Sequence, residues 1–289
     1  METKKNQIFL SATRKDPDRI AVIYNKLPIT QLQILQLIQS ACEALESEKL
    51  DDKDRVLIIL PATLNLAIIM FALIAKKLPF FVINPGLNPE VQQTLASQFD
   101  ASCVITDLIN PLKVNKTIVV NKLVIKKNND LNMTSQLELL DYIECHDFFK
   151  FDKKSRSILK TSFQDYFADI KSNLIKADHS SRFLISPINH VLNFKYNFLS
   201  LYFQRLVIYP DLTSYKKTIF LDLITHGITH CLISENTANA LNRINLDKTN
   251  GLVLESLKKL IILSANEIDQ NTLIEIKNKF TPNVEIQRI

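Results

Sequence analysis

The chain has 289 residues, enough for one large or two modest domains. Apolar residues make up 46% and charged residues 22%, the balance of a globular protein with a real core. Its 35 basic and 30 acidic side chains are intermixed to a net charge of +5, which argues against a nucleic-acid partner.

Near the start, Ile20–Tyr24 and Pro28–Ile29 flank Asn25-Lys26, a pattern that predicts a β-hairpin. Thr30 is placed to cap the helix that follows, whose apolar positions Leu32, Leu35, Ile38, Ala41, Cys42 and Leu45 recur at helical spacing. Asp51 to Asp54 reads as a polar turn. Val56 to Ala75 carries no charge and is long enough to span a bilayer. The alternative is a buried strand, a break at Pro61 and a buried helix from Thr63 to Lys77. Pro61, Asn65 and the apolar strand Phe80–Ile83 favour this βαβ reading over a membrane span. Asn84-Pro85-Gly86 predicts a turn. Asn88-Pro89-Glu90 predicts a helix start, with cap, proline and early acid, for a helix running to Phe99. Cys103–Thr106 is the next strand, and strands separated by helices imply a parallel sheet.

Residues 107–175 are less regular. Short strands are expected at Thr117–Val120 and Leu123–Ile125, and helices at Ser135–His146 and Ser155–Ile170. The lysines here (Lys113, Lys116, Lys122, Lys126 and Lys127) alternate with apolar residues and lack interleaved aromatics, as on solvated strand faces. A second βα series follows. Strands are expected at Phe183–Ser186, Leu206–Tyr209, His230–Ile233, Lys259–Leu263 and Val284–Ile286. Helices are expected near 190–203, 214–226, 235–242 and 266–279. The expected organisation is a first α/β subdomain with linker over 1–175 and a second over 176–289.

Only three glycines occur, Gly86, Gly227 and Gly251. A backbone cradle for phosphate needs residues free to take positive φ and to approach the ligand closely, so no glycine-rich phosphate loop exists here. Cys42, Cys103, Cys145 and Cys231 are scattered without a CxxC pair, as in a reduced cytoplasmic protein. Met1 to Asn6 is charged and lacks the apolar stretch of a secretion signal.

Several segments, in order, resemble the adenylate-forming superfamily of acyl-CoA synthetases and related ligases. Asp16-Pro17-Asp18-Arg19-Ile20-Ala21-Val22 with Ile29-Thr30 is similar to that family's opening hairpin. Asp54-Arg55-Val56 with Leu60-Pro61 resembles its "GDRV…LLPN" strand, and Phe71-Ala72-Leu73 to Asn84-Pro85 its helix and strand ending in "LNP". Asp178 to Ser186 with Pro187-Ile188-Asn189-His190 resembles "DRFL…PLFH", and Leu263-Ser264-Ala265-Asn266-Glu267 resembles "VSGGAPL". The stretches around Phe71–Asn84 and Tyr209–Tyr215 are nearest to the ligase half of bifunctional acyl-acyl carrier protein synthetases/lysophospholipid acyltransferases.

The resemblance implies an N-terminal ligase core of parallel βα layers in two subdomains, incomplete at the C-terminus. It implies ATP and Mg²⁺ as cofactors of the intact family, with none expected for this chain alone. It places His190 near the acyl or thiol site, and it makes Ser264, Ala265 and Asn266 the vestige of a nucleotide-binding turn. The bland alternative for His190 is a helix-start histidine bonded to backbone.

Departures from the family are large. No Ser/Thr/Gly-rich "TSGTTGxPKG" lies before Arg182, Asn193 replaces the glycine after the histidine, and the chain ends where "YGxTE" would begin. Asparagine tolerates left-handed backbone, so a turn at Asn193 is expected to survive.

The expectation is a degenerate acyl-acid ligase-like domain unable to adenylate alone. The alternatives are half of a split synthetase completed by a partner chain, or a module binding a fatty acyl ligand or a protein. No catalytic residue is assigned. His226 and His230, with Asp222 and Cys231 nearby, have zinc-like spacing, but Gly227 interrupts them and no metal site is expected. Cys145 and His146, adjacent on a helix, would not face each other.

Overall fold

The computed structural model describes residues 13–107, 112–120, 146–152, 154–170, 180–186, 190–210, 215–243, 256–263, 274–275, 277–278 and 284–288. Two compact units divide the chain, one of Met1–Arg19 and Thr30–Lys176, the other of Ile20–Ile29 and Ala177–Ile289. The second unit therefore takes in a hairpin from near the start of the chain. Its strands are β1 (Ile20–Tyr24) and β2 (Leu27–Thr30). Asn25 and Lys26 between them have φ of 49° and 64°, as a two-residue hairpin turn of the favoured hand requires.

In the first unit, α1 (Gln31–Ser47) starts at Thr30 with a full capping box. The Thr30 hydroxyl accepts from Gln33 N–H, and the Gln33 side chain accepts from Thr30 N–H. The uncharged stretch from Val56 resolves into β3 (Val56–Ile59), a break at Pro61, and α2 (Leu64–Ala75). Twelve residues give a helix about 18 Å long, well short of a bilayer core. No described helix is long and apolar enough to cross a membrane.

β4 (Phe80–Ile83), α3 (Pro89–Gln98), β5 (Cys103–Thr106) and β6 (Lys116–Val119) complete the βα series. Asn88 caps α3, accepting from Glu90 N–H at 2.8 Å. The sheet is parallel, in the order β4-β3-β5-β6. Every residue of β3, β4 and β5 is buried, as expected for parallel strands covered on both faces. One face packs Leu57, Ile59, Phe81 and Val104 against Leu95, Ala96 and Phe99 of α3 and its end.

The helix expected over Ser155–Ile170 forms only in the second half of that stretch. β7 (Phe148–Asp152) and β8 (Ser157–Thr161) pair antiparallel, and helix follows at α4 (Phe163–Tyr166) and again at 168–170. The Asp152 carboxylate closes the connecting turn by accepting from Ser155 N–H at 2.9 Å and Ser155 O–H at 2.7 Å. Arg156 takes φ 53°, which stops a right-handed helix. Phe148 then inserts among Phe80, Phe163, Tyr166 and Phe167, with ring centroids 5.1–5.8 Å away. The strand expected at Leu123–Ile125 and all but the last residue of the helix expected at Ser135–His146 lie outside the described residues.

The second unit contains β9 (Arg182–Ile185), α5 (Val191–Tyr202), β10 (Leu206–Tyr209), α6 (Tyr215–Thr225), β11 (His230–Ser234), α7 (Glu235–Asn242), β12 (Lys259–Leu263) and β13 (Glu285–Arg288). Its seven-stranded sheet has the order β13-β12-β11-β9-β10-β1-β2. Strands β1 and β9 to β13 run parallel. Successive side chains alternate faces. Ile208 packs with Ile219, Leu223 and Ala238 of α6 and α7, while Tyr209, on the other face, bonds Asn197 of α5. After β9 the chain steps to β10 on one side, and β11 then lies on the other. The order of connection therefore reverses between β9 and β11.

Candidate functional site

In open parallel sheets, ligands sit outside the carboxyl ends of the strands, at the point where the order reverses. Here that point lies beyond Ile185 of β9 and Ser234 of β11, and α5 begins beside it. His190 caps α5 in extended geometry (φ −130°, ψ 141°), and its Nδ1 accepts from Leu192 N–H at 3.2 Å. The structure thus shows the backbone-bonded histidine that the sequence allowed, at the end of the sheet where a ligand would lie.

Asn193 does not form the left-handed turn expected of it. It lies in the first turn of α5 and is fully buried, and its side-chain N–H donates to the Ser186 carbonyl. The hydrogen bond holds the helix start to the end of β9, which a glycine could not do. Ser264, Ala265 and Asn266 lie outside the described residues, as does Cys145.

A buried polar stripe runs on from Asn193, and sequence reasoning had missed it. Asn193, Asn197 and Ser200 are all 0% exposed. Their spacing of four and three puts them on one helix face. The Tyr209 hydroxyl donates to Asn197 Oδ1, and burial raises the Tyr209 pKa well above its ordinary value, so it stays a donor. Small polar residues at helical spacing within an otherwise apolar helix were the signal available.

The remaining candidates are dispersed. His230 starts β11, stacks on Phe183 at 4.5 Å and has Nδ1 2.9 Å from Thr229 Oγ1. His226 and Asp222 instead line a small surface pocket, with room for about one water, alongside Ile23, Lys26 and Tyr209. No group of three or more His, Cys, Asp or Glu is placed to hold a metal among the described residues. Burial pushes the thiols of Cys42 and Cys103 up to about 12 and that of Cys231 higher still, so none is a thiolate at neutral pH. His146 stacks on Phe80, and burial pushes it down to about 4. Asp51 and Asp54 close a turn through Asp54 Oδ2 and Asp51 N–H at 2.8 Å.

Residues 9–157 match the family model described as "AMP-binding enzyme". The chain belongs to this family. No curated protein matches it. Among solved structures it is similar to the O-succinylbenzoate coenzyme A synthetase MenE of Bacillus subtilis in complex with ATP and magnesium. That match has 14% identity and a TM-score of 0.72, over 97% of this chain and 58% of MenE. It is similar too to the N-terminal subdomain of Klebsiella oxytoca NpsA with 3-hydroxybenzoyl-AMSN, at 13% identity and TM-score 0.71, over 100% of this chain and 72% of that one. VinN with L-aspartate matches at 13% identity and TM-score 0.69, over 98% and 74%. The common fold is the N-terminal core of adenylate-forming ligases. The chain spans 57% of unliganded MenE.

Proposed function

We propose that this chain is the carboxylic-acid-binding scaffold of an adenylate-forming ligase, and that its 289 residues alone do not carry out acyl adenylation. Supporting the first part are the family match and the reversal point between β9 and β11, where His190 and the start of α5 face the ligand side of the sheet. The second part is carried by the absence of any glycine between Leu87 and His226.

Adenylation joins a carboxylate to the α-phosphate of ATP and expels pyrophosphate. Two anionic groups must meet, so the reaction needs backbone N–H groups, cations and Mg²⁺ aimed at the phosphates. Close approach of backbone to phosphate favours residues without Cβ. Gly227 does not serve: it ends α6 at φ 55°, ahead of β11, at the opposite end of the sheet from Ser186. The described residues around β9 and α5 therefore do not fit a triphosphate. Each tenfold loss of rate corresponds to about 1.4 kcal/mol of barrier, and an absent phosphate cradle forfeits several such factors. The residues that longer relatives carry beyond the matched span would be needed, in the same polypeptide or in a partner chain.

Titration calorimetry of the 289-residue chain with ATP and Mg²⁺, with and without a carboxylic acid, tests this reading. The expected result is no heat from ATP up to millimolar concentration. Micromolar ATP binding would overturn it.

A further inference from the structure

The β7–β8 hairpin forms a two-stranded sheet of its own, hydrogen-bonded to neither parallel sheet. Its root is well anchored. Phe148 is buried against the rings of Phe163 and Tyr166 on α4, and Phe149 and Ile158 pack on the core of the first unit. Gln98 at the end of α3 donates to the Arg156 carbonyl at 3.3 Å. Phe151 and Leu159 nevertheless remain 41% and 42% exposed. Phe151 stands opposite Ile158, and Leu159 opposite Lys150, so the two exposed side chains lie on opposite faces of the hairpin. A docked protein covers one face of a hairpin, whereas a bilayer interface surrounds an inserted hairpin on both.

Charge points the same way. Residues 147–161 carry five basic and two acidic side chains. Both acids are engaged within the hairpin: Asp147 pairs with Lys160 at 2.6 Å, and Asp152 accepts from the Ser155 N–H and O–H. Lys150, Lys154 and Arg156 are exposed and make no ion pair among the described residues. Long basic stems lie along lipid while their charged heads stay at the phosphates, and each cation near an anionic leaflet adds about fivefold in affinity. A small apolar element alone binds a bilayer marginally; joined to a basic cluster, it docks.

We propose that the β7–β8 hairpin docks this chain reversibly on an anionic lipid surface. Phe151 and Leu159 enter the headgroup layer while Lys150, Lys154 and Arg156 meet the lipid phosphates. The chain then lies on the bilayer rather than crossing it. This docking is independent of the carboxylic-acid reading above, and either can fail without the other.

The chain contains no tryptophan, so Phe151→Trp in the full-length protein supplies a single reporter at the hairpin. Its emission is expected to shift to the blue on phosphatidylcholine–phosphatidylglycerol vesicles and to be quenched by brominated acyl chains. Leu221→Trp on α6, where the leucine is 61% exposed beside Asp222, is the control and is expected to show neither change. In co-sedimentation the unaltered chain should bind the mixed vesicles at least about tenfold more tightly than pure phosphatidylcholine. Lys154→Gln should weaken binding to the mixed vesicles about fivefold, and Phe151→Ser about tenfold. Both positions are exposed, so the fold tolerates these changes. No binding to the mixed vesicles, or an equal blue shift from Leu221→Trp, would refute the docking. Salt-sensitive binding that is lost in Lys154→Gln but untouched by Phe151→Ser would overturn it too, and would make an acidic protein the better occupant.

Discussion

His146 offers a sharp test of how the first unit packs. Its ring stacks on Phe80 at 5.6 Å and meets Phe148 edge-on at 5.6 Å. Its Nε2 is buried without a hydrogen-bond partner. Burial pushes the imidazole down from 6.5 to about 4, against a weaker upward pull from the Asp147 carboxylate. The sign follows from which state binds the proton. In the unfolded chain His146 protonates as pH falls through about 6.5, whereas in the folded chain it stays neutral until about pH 4. Stability from this site is therefore complete above pH 6.5 and is lost progressively as pH falls through that window, at about 1.4 kcal/mol per unit. His146→Phe keeps an aromatic ring and removes the proton site. Urea unfolding of both proteins at about pH 7.5 and about pH 4.5 isolates the histidine from the carboxylates common to both. The variant should gain about 2 kcal/mol on the wild type between those two pH values. A difference constant to within about 0.5 kcal/mol would show that the ring titrates freely, and the aromatic packing around it would be wrong.

Other expectations are equally direct. Phe148→Ala should cost about 3–5 kcal/mol in urea unfolding, since the ring is 1% exposed. Phe151→Ala, at 41% exposure, should cost under about 1 kcal/mol, and equal losses would refute the β7–β8 register. Thr30→Ala removes the hydroxyl arm of the capping box and should lower stability by about 1 kcal/mol, or about 3 °C in melting temperature. Lys77→Gly should raise stability by about 0.5–1 kcal/mol, because Lys77 takes φ 58° at the end of α2 and glycine meets no steric penalty there.

Where local chemistry decided the outcome, the sequence was legible. Thr30, Asn88-Pro89 and Pro61 each mark a helix end or break through a bond or clash within a few residues, and all three act as expected. Ser155–Ile170 misled for a physical reason. Phe163, Tyr166, Phe167 and Ile170 fall at helical spacing and are indeed buried. What makes Ser157–Thr161 a strand, however, is pairing with Phe148–Asp152, a non-local contact that no window along the chain contains. At the candidate site, His190 could be placed at a strand-to-helix junction from sequence. The role of Asn193 could not be, because its partner is a carbonyl seven residues away on another element.

The glycine shortage has two consequences that differ in kind. Helix ends commonly close with a glycine in the left-handed region, yet here Lys49, Lys77, Asp100 and Gln204 take φ of 54–58° after α1, α2, α3 and α5. The backbone bonds that close these ends still form, as between Leu78 N–H and the Leu73 carbonyl at 2.9 Å. Each such residue costs about 1–2 kcal/mol, a strain that apolar strands buried on both faces can offset many times over. A helix end therefore survives without glycine, because it asks only for a dihedral. A phosphate cradle asks for close approach as well, and a Cβ in its path is an obstruction rather than a strain. The same composition can thus leave the ligase scaffold intact and still remove the means of holding a triphosphate. Gain of stability in Lys77→Gly, with no gain in ATP binding, would separate the two effects in one variant.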